Sequence, residues 1–203
     1  MAENNKMTVT AGEIEFIRNL FPEGKGLTIK EIKKISEYSS YERNNTYLKS
    51  LSKKGAIEEK SVGKTLVYSI KPKNLFVKQA FVSYSIAKLT KLAEKHNILY
   101  NAINSLQEDK FDLIVLFGSY SKGTENKDSD VDLLCVTSDE KESELSIAEM
   151  KRLYGLNFHT ILIPKKEFPK IKQENITLWN SLIKDGIIFK GYDLFYYYTY
   201  NEK

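Results

Sequence analysis

Three features of the 203-residue sequence predict an α+β fold in two parts. Apolar residues recur at helical spacing through the first fifty positions. The period falls to two over 57–70, where Leu66, Tyr68 and Ile70 alternate with Thr65, Val67 and Ser69. Later, the β-rich run Phe111–Phe117 ends at Gly118-Ser119, and a second run, Leu133–Val136, follows Asp130-Val131-Asp132.

In the first third, three Ser/Thr-x-x-Glu patterns mark helix starts: Thr10 to Glu13, Thr28 to Glu31, and Ser39 to Glu42. Each pairs a side-chain acceptor for an orphan N–H with a glutamate that reaches back to the cap. Behind them run the stripes Ile14, Ile17, Leu20 and Phe21, then Ile32 and Ile35, then Tyr47, Leu48 and Leu51. Gly55 stands where a helix C-terminus needs a glycine. Ser61-Val62-Gly63-Lys64 is a turn candidate inside a 57–70 hairpin.

From an Asn74 cap, an apolar helical pattern runs to about Leu106 with a break near His96-Asn97. Without a Gly/Pro-rich linker, helix is expected to join the two parts. His96 reads as a surface histidine without a role. Near the end, Ile176, Trp179, Leu182 and Ile183 form a helical stripe closed by Lys184-Asp185-Gly186, and Ile187-Ile188-Phe189 reads as a last strand. Trp179 and Cys135 read as core residues. The aromatic tail Leu194–Tyr200 is too apolar to float free, and is expected to cover the domain, pair at a sheet edge or meet a partner, including a second copy.

A 41% hydrophobic content suffices for real cores, and no run of 18 apolar residues suggests a membrane span. The N-terminus lacks a basic and apolar leader, and one cysteine excludes an internal disulfide framework; the expectation is a cytoplasmic protein. Charge is unevenly placed. Residues 1–73 hold 14 Lys/Arg against 9 Asp/Glu, whereas residues 74–203 hold 17 against 18. A positive excess confined to one part points to a polyanionic partner there.

Three short helices followed by a hairpin resemble the winged helix-turn-helix family, over about residues 8–73. The resemblance implies a recognition helix near Tyr41–Lys54, entering the major groove of DNA while the hairpin touches the backbone. Its candidate contacts are Arg43, Asn44, Asn45, Lys49, Lys53 and Lys54, with Lys60 and Lys64 on the wing. Arginine and asparagine suit base edges; lysine suits phosphates.

The stretch LFGSYSKGTENKDSDVDLLCV has its own logic. Strand residues two apart share a face, so Asp130 and Asp132 project together. Two close carboxylates repel unless a cation lies between them, and Mg²⁺ (or Mn²⁺) suits a few carboxylates plus substrate phosphates. Gly118 permits close backbone approach and Ser119 adds a hydroxyl. Gly-Ser, ten residues, Asp-x-Asp resembles the signature of the polymerase-β nucleotidyltransferase superfamily, its minimal branch in particular, over about residues 108–191. The resemblance implies a small mixed-sheet domain at 108–203, preceded by a linking helix at 74–107 and a winged helix at 1–73. It also implies nucleoside triphosphate binding by Gly118 and Ser119, with Lys122 a further phosphate candidate, and metal binding by Asp130 and Asp132. Minimal relatives often act as antitoxins on a HEPN-type toxin, which implies a protein acceptor.

The family pattern breaks at one place. A third carboxylate is expected on the later strand 157–163, where this sequence has His159, with Asn157 on the same face. Three readings stay open: His159 substitutes, an acid among Glu140, Glu142, Glu144 and Glu167 is supplied from elsewhere, or the domain binds nucleotide without turnover. The last would make the chain a DNA-binding regulator that senses nucleotide or dimerises through this fold.

Overall fold

The computed structural model describes residues 9–18, 20–21, 26–35, 40–106 and 110–201. They form two compact units divided between Tyr84 and Ser85.

The first unit runs α1 (Ala11–Arg18), β1 (Leu27–Thr28), α2 (Ile29–Ile35), α3 (Tyr41–Lys53), β2 (Ile57–Val62) and β3 (Thr65–Ile70). Its antiparallel sheet has the order β1-β3-β2, with the hairpin β2–β3 closed by Gly63-Lys64. Gly63 takes φ +61°, which a bulkier residue would resist in so short a loop. Phe16, Ile17, Leu20 and Phe21 of the first helical region are buried, while Ile14 of the expected stripe is only half-buried. Leu66, expected on the core face with Tyr68 and Ile70, is exposed because it lies near the hairpin tip.

The Thr10–Glu13 and Thr28–Glu31 boxes are both formed. The third cap is Ser40, whose hydroxyl accepts from the Arg43 N–H; Ser39 lies outside the described residues. The Ser39–Glu42 spacing points to Ser39, but two adjacent serines offer the same chemistry and the helix is capped one residue later. Helix α3 ends in a Schellman motif, with Gly55 N–H donating to Ser52 O and Ala56 N–H to Leu51 O, both at 2.8 Å. Asn74 caps α4 (Leu75–Lys95) through the Phe76 N–H, and its amide donates to Lys54 O and Gly55 O.

Glu13 does more than cap. Its Oε1 accepts from the Ser50 hydroxyl at 2.6 Å, and the Lys54 ammonium reaches both oxygens at 2.7 Å. The cap of α1 is thereby fastened to the end of α3, and Lys54 is taken up inside the unit instead of facing a partner.

The second unit, from Ser85, continues with α5 (Asn97–Asn104), β4 (Phe111–Phe117), α6 (Gly118–Lys122), β5 (Val131–Thr137), α7 (Glu140–Tyr154) and β6 (Phe158–Pro164). After these come a 3₁₀ turn (Phe168–Lys170), α8 (Ile171–Glu174), α9 (Ile176–Asp185), β7 (Ile187–Lys190) and α10 (Tyr192–Tyr196). The sheet is mixed, in the order β6-β5-β4-β7, with β5 and β6 parallel and the other pairs antiparallel. A parallel pair needs a crossover, and α7 supplies it. One sheet face, including Ile114, Leu116, Val131, Leu133, Cys135 and Phe158, packs into a core with Leu99 and Ile103 of α5 and Ile147 and Met150 of α7. Strand β5 is buried on both faces except where it carries Asp132.

Trp179 and Leu182 are buried, but Ile176 is 56% exposed, so the α9 stripe is one position shorter than its sequence spacing implies. The aromatic tail forms α10 and a π-helical turn, Tyr197–Asn201, instead of an edge strand. Phe195, Tyr196 and Tyr200 are buried, and Phe168 stacks with Trp179, Phe195 and Tyr198 at centroid separations of 5.8, 6.2 and 5.8 Å. Among the described residues no helix is long and apolar enough to cross a membrane.

Removing Glu13 strands the Lys54 charge at a mostly enclosed position, so Glu13→Ala is expected to destabilise the first unit by about 3 kcal/mol, read from denaturant unfolding. Although burial opposes ionisation most, the hydrogen bonds from Lys54, Ser50 and Thr10 together hold the Glu13 carboxyl below its ordinary 4.5. A lowered folded value gives stability present above 4.5 and lost as pH falls through the folded value. Thermal melts of Glu13→Gln below that pH should therefore depend less on pH than those of the unaltered chain.

Candidate functional site

The site begins with strand register. Asp132 pairs across the antiparallel ladder with Phe117, the residue before Gly118, and across the parallel ladder with His159. Asp130 and Asp132 point away from the Val131 side, which is packed in the core. On the neighbouring strand, Asn157 and His159 share a face in the same way. The result is two facing pairs. The Asn157 amide donates to Asp130 Oδ1, and His159 Nδ1 lies 3.0 Å from Asp132 Oδ1. An ionised carboxylate can only accept, so Nδ1 is the donor, and in the neutral imidazole the lone pair is on Nε2. The His159 side chain is 65% exposed and that of Asp132 25%.

Gly118 turns the chain from β4 into α6 at φ +76°. A Cβ there would stand 2.0 Å from Asp132 Oδ2, so only glycine lets the turn pass so close to the carboxylate. Ser119 follows at the start of α6, half-buried beside that turn. Lys122 closes α6, and its ammonium sits 4.0 Å from Asp185 Oδ2, turned toward the end of α9.

Among the described residues no three His, Cys, Asp or Glu side chains converge to hold a metal ion. Glu142 faces Lys110 and Glu167 pairs with Lys170; Glu140 and Glu144 are exposed on α7. None of the four completes the aspartate pair. Each aspartate has one oxygen engaged by a neighbour in β6 or just before it, which leaves the other for a cation. Such a set fits Mg²⁺ held by one or two carboxylates and chiefly by substrate phosphates, not an all-protein cage.

Cys135 is fully buried and burial pushes its thiol up to about 12, so it takes no part in chemistry at neutral pH. His96, expected at the surface, is instead engaged: its Nε2 lies 3.0 Å from Glu125 Oε1, and its ring meets Tyr120 edge-on at 5.4 Å. Those partners lie 24 and 29 positions away, and no local pattern announces them.

In the first unit, Arg43, Lys49 and Lys53 are exposed along α3, and Lys60 and Lys64 are exposed on the hairpin. Asn44 is fully buried, which removes it from any groove-reading set. Asn45 is half-buried. Three lysines absent from the sequence-based set, Lys30, Lys33 and Lys34, are exposed on α2.

Residues 99–183 match the family described as the nucleotidyltransferase domain. A candidate protein adenylyltransferase of Methanocaldococcus jannaschii is 33% identical over 67 residues, a stretch amounting to 30% of this chain; the chain spans 65% of that relative's length. Among solved structures, a candidate nucleotidyltransferase from Sulfolobus solfataricus aligns with a TM-score of 0.29 and 20% identity, over 54% of this chain and 85% of its own. TrmBL2, an archaeal chromatin protein whose structure shows a novel mode of DNA binding, aligns with a TM-score of 0.30 and 19% identity, over 84% of this chain and 72% of its own. Likenesses that slight carry nothing about function. The family match, residues 99–183, falls on the segment that holds Gly118, Ser119, Asp130 and Asp132, and it is to the nucleotidyltransferase domain that this segment is similar.

Proposed function

We propose that the chain transfers a nucleoside monophosphate from a nucleoside triphosphate to a hydroxyl on a protein or other acceptor, and that its first unit is a DNA-binding winged helix. The observation that carries the transferase reading is the backbone of Gly118 set against the carboxylate of Asp132, with Asp130 on the same strand face.

In this reading Asp130 and Asp132 hold Mg²⁺ (or Mn²⁺), which when bound neutralises charge on the triphosphate. Gly118 and Ser119 grip the phosphates through backbone N–H and hydroxyl. Positioning and charge neutralisation are most of what this chemistry asks of a protein. The acceptor oxygen bonds to the α-phosphorus, the bond from that phosphorus to the bridging oxygen of the β-phosphate breaks, and pyrophosphate leaves. The acceptor's proton goes to His159 Nε2, the lone pair left by the Nδ1–H contact to Asp132. His159 thus stands in for the third carboxylate as a proton acceptor, not as a third metal ligand, since no three such groups converge among the described residues. Lys122 is a phosphate contact only if it leaves Asp185. A toxin-like protein is one form the acceptor can take, consistent with the adenylyltransferase relative.

Support for DNA binding lies in the exposed cations of α2, α3 and the hairpin on one small unit: Lys30, Lys33 and Lys34, then Arg43, Lys49 and Lys53, then Lys60 and Lys64. A second reading, a regulator that senses nucleotide without turnover, is favoured by the missing third acid.

Incubation with each labelled triphosphate, Mg²⁺ and a cell lysate tests the transferase. Label transfer should fall about 100- to 1,000-fold in Asp132→Asn. His159→Ala should lose most activity while His159→Asp keeps it; tight nucleotide binding with no transfer to any acceptor would sink the enzyme in favour of the sensor. Gly118→Ala should cost transfer about 100-fold by displacing the Asp132 carboxylate, and should also lower the melting temperature, because a Cβ at φ +76° is strained. For DNA, each of Arg43→Ala, Lys49→Ala and Lys53→Ala should reduce the slope of log affinity against log salt by about one. Asn44→Ala should instead act through stability, seen as a lower melting temperature.

A further inference from the structure

The site's two halves, Gly118-Ser119 and Asp130-Asp132, are separated by the segment 120–129, and one residue outside the motif touches it twice. His96 stands at the junction of α4 and α5, as the cap residue of α5, with φ −133° and ψ 61°. Its Nε2 donates to Glu125 Oε1 at 3.0 Å, since an ionised carboxylate accepts. Its ring lies edge-on against Tyr120, the neighbour of Ser119, at 5.4 Å and 74°. Lys95 Nζ donates to the same Glu125 oxygen. The Glu125 side chain is only 10% exposed, and its other oxygen is enclosed without a hydrogen-bond partner. Burying an unpaired carboxylate oxygen is costly, so the enclosed Oε2 of Glu125 points to a role beyond surface packing. Further along, the Asn126 N–H donates to Ser129 Oγ and the Asp128 N–H to Asn126 Oδ1, so the segment from Glu125 is a chain of short turns leading to Asp130.

We propose that His96 is a positioning residue for the nucleotidyl-transfer site, holding the phosphate-gripping turn through Tyr120 and the approach to the aspartate pair through Glu125. The proposal rests on the functional reading above. His96 touches neither reacting atoms nor metal. It acts by setting the separation between the two halves of the motif, which must be fixed before triphosphate and acceptor can align. Lys95 supplies the charge that keeps Glu125 ionised, and Glu125 carries the constraint into the segment.

The experiment uses the full chain and compares His96→Ala, His96→Gln, Glu125→Gln and the unaltered protein. Hydrogen exchange is followed across 120–130, binding of ATP, GTP, CTP and UTP with Mg²⁺ by calorimetry, and label transfer by kcat and KM. His96→Ala should speed exchange at 124–130 while leaving β4 and β5 protected and the melting temperature unchanged. It should also weaken binding of the preferred triphosphate about tenfold, or lower kcat about 100-fold at similar KM. His96→Gln, which keeps a donor near the Nε2 position, should recover most of the loss. Unchanged exchange in His96→Ala overturns the proposal, and so does faster exchange with unaltered binding and transfer, or a loss that only tracks melting temperature. If the unaltered chain binds none of the four triphosphates, the functional reading falls and this role falls with it. If it binds one and His96→Ala binds it equally, with equal kcat, only this role falls.

Discussion

The second unit is organised around the carboxylate of Asp132, which has to satisfy three neighbours at once. The antiparallel ladder puts it beside the end of β4, the parallel ladder puts it beside His159, and the turn at Gly118 brings backbone to within a distance that excludes a Cβ. A shift of β5 by one residue would send Asp132 into the core and Val131 to the solvent, since strand side chains alternate. The core residues Leu133, Cys135 and Val136 therefore fix where the charge sits as much as any contact the charge makes. Packing on both faces of β5 makes that register expensive to change, and Asp132 is held on its face of the sheet for that reason.

Much of this could be read from residue patterns. Spacing placed the two aspartates on one face, and the turn residue and its neighbouring strands were legible because strand period and glycine chemistry are local properties. The strand carrying His159 came from the family resemblance, while its parallel pairing and the position of His159 opposite Asp132 came only from the fold. Other features depended on contacts between distant positions. Asn44 looks like a base-reading residue in one dimension, but the helix turns it inward. Lys54 looks like a phosphate contact until Glu13 is seen to claim it. His96 sits at a helix break, which is visible in sequence, yet its partners Tyr120 and Glu125 arrive only through the tertiary fold.

Helix caps illustrate the same division. Capping boxes at Thr10 and Thr28 were correct because each is closed within four residues. The α3 cap moved to Ser40 because neighbouring serines are locally equivalent and the fold chooses between them. The aromatic tail resolved in favour of covering its own unit: Phe168 gathers Trp179, Phe195 and Tyr198 around itself, leaving the tail little reason to pair as a strand.

Cys135 has a consequence of a practical kind. It is the sole thiol in the chain, it lies wholly inside β5, and its environment keeps it protonated far above neutral pH. A maleimide or spin-label reagent will therefore pass it by while the protein is folded. Any cysteine introduced on an exposed face, at the hairpin tip or along α7, becomes the single addressable point on the molecule. The native residue can stay where the core needs its volume, and distance measurements between two such introduced points need no cysteine-free background.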